Sequence, residues 1–410
     1  RALRVLCAAK RDWSSMPEST EPEFLEQDLT YVGLSGMIDP ERPEVAPAIA
    51  EAHGAGIRTV MITGDHPLTA ARIASDLGII DATGAADLGS TVLTGTQLDE
   101  LPDEAAFDNA TRNISVYARV APEHKLKIVE SLQRQGNIVA MTGDGVNDAP
   151  SLKAADIGVA MGLGGTDVAK QASDIILADD NFATIEKAIE EGRGIYENIK
   201  KSVLFLLSSN FGEIMTMFAA IACDIAAPLK ASHILWINLI TDSLPALALG
   251  VDENDMDDLM ARPPRDEKES LFAHGGLRCT VFYGLLIGGV SLAAFLMAPF
   301  AALTESGREA TWAALTESLG NPMILSRAQT YAFTVLGLSQ LFHAVGMRNM
   351  RKSVFAMDHL SNKLMIAAFF AGVALQAAVT EIPFLVHAFQ TVRLSAGEWG
   401  RLLLLAAAPL

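Results

Sequence analysis

The second half of this chain is built from apolar runs that recur too often to be packed inside one soluble core. "SVLFLLSSNFGEIMTMFAAIACDIAA", residues 202–227, is long enough to cross a bilayer. Further runs fall at roughly 232–250, 278–300, 328–347 and 363–386, and a shorter one begins at Glu398. One such run could be a buried helix, but five in succession predict a bundle of membrane-spanning helices. Lys200 and Lys201 precede the first run, and Arg348, Arg351, Lys352 and Lys363 lie between the fourth and fifth. Basic residues concentrate on cytoplasmic loops, so both places are expected to face the cytoplasm, as is the domain that precedes them.

The first half reads differently. From about Leu29 to Ala178, strand-like and helix-like segments alternate. "LTYVGLSGMI", "RTVMIT", "NIVAMT", "DIGVAM" and "DIILA" are short apolar runs that suit strands. "RPEVAPAIAEAHGAG", "PLTAARIASDLG" and "PEHKLKIVESLQRQG" carry proline near the start and glycine at the end, the punctuation of helices. This βα pattern predicts a parallel sheet covered on both faces, with ligands at the carboxyl ends of its strands.

Two strand ends stand out. "MTGDGVNDAP", residues 141–150, places Asp144, Asn147 and Asp148 directly after a buried-strand pattern, and "RTVMITGDHP" stops another strand at Thr63, Gly64 and Asp65. Both are expected to feed one polar site. Cys7, Cys223 and Cys279 are too scattered for a disulfide framework or a thiolate metal site. A formal net charge of -18 argues against nucleic acid as a partner.

Polar residues also interrupt the apolar runs. Asn210 and Glu213 are spaced i, i+3 in the first run, and Asn238, Thr241 and Asp242 are spaced i, i+3, i+4 in the second, so each set shares a helix face. A carboxylate in mid-bilayer costs at least about 2.5 kcal/mol unless it is paired, protonated or ligating. Two acids accompanied only by amides and hydroxyls form an oxygen cluster suited to a hard cation such as Ca²⁺, not to Zn²⁺ or Cu⁺. Pro245 is expected to weaken the second helix beside this cluster and to free backbone carbonyls. A purely structural hydrogen-bond network between helices is the competing reading.

The ordered motifs "MITGD", "ARVAPEHKLKIVE", "TGDGVNDAPSLKAADIGVAMG", "LADDNFATI", "SSNFGE" and "LWINLITDSLPALALG" resemble the P-type ATPases, in particular calcium-transporting pumps of the sarco/endoplasmic-reticulum type and their bacterial relatives. The resemblance implies an α/β haloacid-dehalogenase-like phosphorylation domain followed by an α-helical transmembrane bundle. It implies an ATP-driven pump that moves Ca²⁺ out of the cytoplasm through an aspartyl-phosphate cycle. On this resemblance residues 1–27 are the end of a nucleotide-binding domain, 28–190 a phosphorylation domain without its nucleophile segment, and 191–410 five complete membrane helices plus a truncated sixth.

Residue by residue, the resemblance makes Asp144 a Mg²⁺ ligand, and Asn147 and Asp148 holders of the phosphate site. Thr63, Gly64 and Asp65 become the second phosphate motif, and Lys125 the lysine facing the aspartyl phosphate. Arg4 and Arg119 become nucleotide-contacting arginines. Asn210, Glu213, Asn238, Thr241 and Asp242 match ligands of the transported cation, with Gln340 in "VLGLSQLFHAV" where an acid is expected. Losing that acid predicts a weaker second site. ATP, Mg²⁺, Ca²⁺, counter-transported H⁺ and the lipid bilayer (a plasma membrane, if the source is bacterial) are the implied partners.

The family's nucleophile motif, Asp-Lys-Thr-Gly-Thr, does not occur in the sequence, and "DATG" at 81–84 is a decoy that lacks its lysine. The chain is therefore expected to be the C-terminal part of a pump that works with the missing N-terminal half. Rival readings are a non-catalytic pseudo-pump or membrane partner protein, a membrane-tethered phosphatase, and a pump for Mn²⁺ or a monovalent cation. His233 and His343 are expected to be interfacial rather than ligands. Asp179 and Asp180 are expected to cap a helix. The charged stretch "DENDMDDLMARPPRDEKES" is expected to be a solvated loop. The helix over 181–201 is expected to run unbroken into the first span, with Gly192 and Gly194 as its only soft points.

Overall fold

The computed structural model describes residues 4–17, 19–37, 41–81, 91–266, 268–350 and 353–410. Most of "DATG", and Arg351 and Lys352, lie outside the described residues. The chain forms two units, residues 1–190 with 257–267, and residues 191–256 with 268–410.

In the first unit, β1 (Arg4–Lys10) and β2 (Thr30–Met37) pair antiparallel. "LTYVGLSGMI", expected to begin the parallel pattern, instead forms β2, which turns back against β1. The parallel strands occupy two three-stranded sheets. One has the order β3 (Met61–Thr63), β5 (Val116–Ala118), β4 (Val92–Thr94). The other runs β6 (Ala140–Gly143), β7 (Ile157–Met161), β8 (Ile175–Leu177). β5 is the middle strand of its sheet, and all three of its residues are buried.

The helices between them follow the sequence punctuation: α1 (Val45–Gly54), α2 (Pro67–Asp76), α3 (Glu104–Asn113), α4 (Pro122–Arg134), α5 (Ala149–Ala154) and α6 (Asp167–Ala172). α1 ends at Gly54, and Gly56 takes a φ of +74°, where a Cβ would also clash with Pro264 at 2.8 Å. α2 buries an alanine stripe (Ala70, Ala71, Ala74) against Val92, Val116 and Ala118. α4 buries Ile128 and Leu132 against Leu98, Phe107 and Tyr117. These two helices bring their N-termini to the carboxyl ends of β3 and β5.

The second unit is helical. α7 (Ala183–Ala222) is unbroken over 40 residues and enters it from the first. α8 (Ala231–Trp236), a π turn (Ile237–Thr241) and α9 (Ser243–Gly250) form the second apolar element. α10 (Gly276–Glu305), α11 (Pro322–Met347), α12 (Lys363–Glu381) and α13 (Ala396–Ala406) follow. Three of these, α7, α10 and α12, are both long and apolar enough to cross a membrane.

α11 is buried on every face from Ala328 to Leu341, so the other helices pack around it and it can hold polar groups away from lipid. α7 and α10 approach closely through glycines: a Cβ on Gly284 would lie 2.4 Å from Phe211, and one on Gly212 would lie 2.8 Å from Ile287. Small residues at such crossings let backbones approach where apolar lipid gives no hydrophobic drive.

The charged stretch after α9 is not simply solvated. Leu259 and Met260 are buried, and Asp252 is buried between Arg348 at 2.9 Å and Lys201 at 3.6 Å. Asn362 donates to the same carboxylate at 2.8 Å. A carboxylate can sit there because two cations and an amide replace its water.

His233 and His343 are both fully buried within the helices. His233 stacks on Phe333 with ring centres 4.3 Å apart and bonds the Phe389 carbonyl, while His343 bonds the Ser208 hydroxyl at 2.7 Å. Of the two aspartates before α7, Asp179 accepts from Asn181 and Thr184, as a cap does. Asp180 instead accepts the amides of Leu163 and Gly164, at 2.9 and 2.6 Å.

Candidate functional site

Two groups of polar residues are assembled, one in each unit. The first begins where β6 ends. Gly143 closes the strand, and a Cβ there would sit 2.5 Å from the Asp148 side chain, so only glycine lets the turn fold back this tightly. Asp148 then points inward and accepts the backbone amides of Asp144 at 3.3 Å and Gly145 at 3.1 Å. Lys125, on the first turn of α4, reaches the other Asp148 oxygen at 2.6 Å. Burial pushes the Asp148 carboxyl up, but the Lys125 ammonium and the two amides outweigh it and hold the group below the usual carboxylate range.

Asp144 lies beside this pair with its side chain exposed. Its carbonyl accepts the Thr166 amide at 2.8 Å, and its carboxylate takes part in no hydrogen bond or ion pair among the described residues. A free acidic oxygen next to a fixed ammonium–carboxylate pair suits Mg²⁺, which is held by one or two carboxylates, phosphate oxygens and water.

The Thr63–Asp65 turn is tied to the neighbouring strand end. Arg119 takes a φ of 52° and donates its amide to the Asp65 carbonyl at 3.2 Å, and Val120 donates to Thr63 at 3.4 Å. Thr63 accepts the Asp65 amide at 3.1 Å, which closes the turn. Since Val120 leads through Ala121 into α4, the same segment positions Arg119 and Lys125. His124 braces it, bonding the Ala121 amide at 3.0 Å and Asp99 at 2.8 Å. Neither His124 nor Asp99 is singled out by the sequence; the adjacency of His124 to Lys125 is the available signal. Gly64 and Asn147 are exposed in their turns, and Arg4 lies in β1 with its partner Met37. No hydrogen bond among the described residues joins Arg4 to either turn.

The second group is in the helical unit. Glu213 of α7 is buried, accepting Asn238 at 3.2 Å on one oxygen and Gln340 at 3.3 Å on the other. Asp242 is buried within electrostatic reach of Glu213, and neither of its oxygens has a hydrogen-bond partner. The Gln340 amide oxygen is likewise without a donor. Asn210 donates back to the Leu206 carbonyl at 2.8 Å, which leaves its oxygen free of that bond.

Asn238 and Thr241 lie inside the π turn, closed by Asp242 donating to Ile237 at 3.0 Å. The helix was expected to weaken near Pro245. It departs from α geometry four to eight residues earlier, at the polar residues themselves. Isolated π turns of this kind collect at functional sites. The residues brought together are thus oxygen-bearing acceptors with too few donors, an arrangement that suits a cation.

Comparison with known proteins finds relatives for both parts of the chain. Residues 226–410 match the family described as cation transporting ATPase, C-terminus, and residues 6–156 and 125–189 match haloacid dehalogenase-like hydrolases. The whole chain is 49% identical to "Calcium-transporting ATPase 1" of Bacillus cereus, of which it covers 44%. It is 44% identical to "Calcium-transporting ATPase" of Bacillus subtilis, covering 43% of it. Against "Probable cation-transporting ATPase F" of Mycobacterium bovis the identity is 38%, with 42% covered. The chain therefore spans less than half the length of these curated relatives. The chain thus joins a haloacid dehalogenase-like part to a part that matches the C-terminus of cation-transporting ATPases.

Proposed function

We propose that the chain is the C-terminal part of an ATP-driven Ca²⁺ pump, its α/β domain on the cytoplasmic side and its helices spanning the membrane. One observation carries this reading: Glu213 and Asp242 are buried together with amide groups, and Asp242 has no donor on either oxygen. An acid that is neither paired nor hydrogen-bonded deep in a helical bundle is completed by a proton or a cation, and the acceptor oxygens around Asp242 favour the cation. The names of the relatives make Ca²⁺ the first choice.

In the α/β domain, Lys125 would neutralise charge on a transferring phosphoryl group while Asp148 holds its ammonium in place. Asp144 would hold Mg²⁺, which supplies charge neutralisation on phosphate oxygens. Thr63, Gly64 and Asp65 would present a hydroxyl and backbone donors to that phosphate, and Arg4 and Arg119 would serve the nucleotide. Asn147 would help to hold the turn. Residues 1–27 would complete a nucleotide-binding domain, and 191–410 the membrane domain.

The test is Ca²⁺ binding and phosphorylation by ATP in the complete protein carrying this chain. Saturable Ca²⁺ binding that stimulates phosphoenzyme formation supports the proposal. Stimulation by Mn²⁺ or a monovalent ion alone replaces its cargo, and no phosphoenzyme at all sinks it.

A further inference from the structure

Helices α11 and α12 run antiparallel and very close. A Cβ on Gly372 would sit 2.7 Å from the Leu341 methyls, and a Cβ on Gly337 would sit 3.2 Å from the Gln376 amide oxygen. The same space beside Gly337 is bordered at 3.9 Å by the Thr241 methyl, the last residue of the π turn and the neighbour of Asp242. Gln376 is fully buried; its nitrogen reaches the Thr334 hydroxyl at 3.5 Å, and its oxygen has no hydrogen-bond partner. A buried amide oxygen left without a donor costs about 1–3 kcal/mol. Both Asp242 oxygens and the Gln340 amide oxygen share that condition, and Gln340 lies one turn along α11 from Gly337. Acceptors from three separate helical segments thus face a shortage of donors in one region.

We infer that the Gln376 amide oxygen is a further cation-binding group, serving the side of the site next to Thr241 and Asp242. The inference rests on the cation-binding reading of that site. A neutral amide there adds an oxygen without adding charge, which favours a hard divalent ion already neutralised by Glu213 and Asp242. Gly337 keeps the position open, because a Cβ there would press on the amide oxygen at 3.2 Å.

Equilibrium binding of ⁴⁵Ca to the complete purified protein tests it, with the Ca²⁺-induced rise in thermal midpoint as a second readout. Gln376→Leu is expected to weaken Ca²⁺ binding about tenfold and to shrink the midpoint rise, as loss of one charge-assisted contact does. Gln376→Glu, which keeps an oxygen in place, is expected to restore binding. Wild-type affinity in Gln376→Leu overturns the inference, whereas a wild-type protein that binds no Ca²⁺ overturns the site reading beneath it. If Gln376→Leu does not fold, Gly337→Ala decides: its methyl group crowds the same oxygen, and unchanged affinity there also overturns the inference.

Discussion

Gln340 donates its amide to Glu213 at 3.3 Å across two helices, so the one place where an acid was expected holds a donor for the neighbouring acid instead. An acid at 340 would face Glu213 as a like charge until a cation arrived. The glutamine removes that repulsion and also removes one negative charge from the site.

Stoichiometry should follow. With Glu213 and Asp242 as the acids of the group, one Ca²⁺ is expected to bind tightly and a second weakly or not at all, because Coulomb attraction scales with the charge present. Gln340→Glu should raise tight ⁴⁵Ca binding from one ion per protein to two. Two equally tight ions in the wild type would contradict this.

Asp242 should be indispensable. Asp242→Asn keeps the shape and removes the charge that no protein group satisfies. It is expected to abolish Ca²⁺-stimulated ATP hydrolysis while the protein still folds; stimulation at wild-type Ca²⁺ concentrations would make the group structural.

Asp144→Ala removes the exposed carboxylate beside the Lys125–Asp148 pair. Phosphoenzyme formation from ATP should become undetectable, and added Mg²⁺ should not rescue it. Normal phosphoenzyme in this variant would mean that Mg²⁺ is held elsewhere.

The Lys125–Asp148 pair predicts a pH dependence. The folded Asp148 carboxyl sits below its ordinary value, so its contribution to stability is complete above that value of 3.8 and is lost as pH falls through the folded one. The gap in thermal midpoint between the wild type and Asp148→Asn should be constant near neutrality and close below about pH 4. A gap that persists in acid would show that the amides, and not the charge, fix this turn.

Breaking the buried Asp252 group should cost stability. Asp252→Ala leaves Arg348 and Lys201 buried without their carboxylate, a loss of about 3 kcal/mol. Detergent-solubilised protein should unfold at a lower temperature, and an unchanged midpoint would show that other groups compensate.

Sequence legibility varied with the range over which each feature is decided. The turns after β3 and β6 and the helices opened by Pro67 and Pro122 could be read, because proline, glycine and an apolar strand act locally. β4 and β5 could not: "VLT" and "VYA" are three residues each, too short to show a period, and only their pairing makes them strands. Asp252 looked solvated because its partner Arg348 is 96 residues away. The partners of both histidines could not be read, because Phe389, Ser208 and Phe333 lie far along the chain. The acids and amides of the membrane group could be singled out by type and spacing, but the π turn among them and the role of Gln376 depend on how helices meet.

The π turn makes the ligand set depend on chain length as well as on residue identity. A π ring closes over five residues where an α ring closes over four, so the segment Ile237–Thr241 holds one residue more than a regular helix needs. Deleting Ile240 would leave Asn238, Thr241 and Asp242 all in the sequence, and would let the helix relax to α geometry. Asn238 would then stand three residues from Asp242 instead of four, and the wide turn that holds Asn238 and Thr241 would be gone. Substitution tables would score such a variant as intact. The register of one turn, which no single side chain encodes, would have dismantled the site.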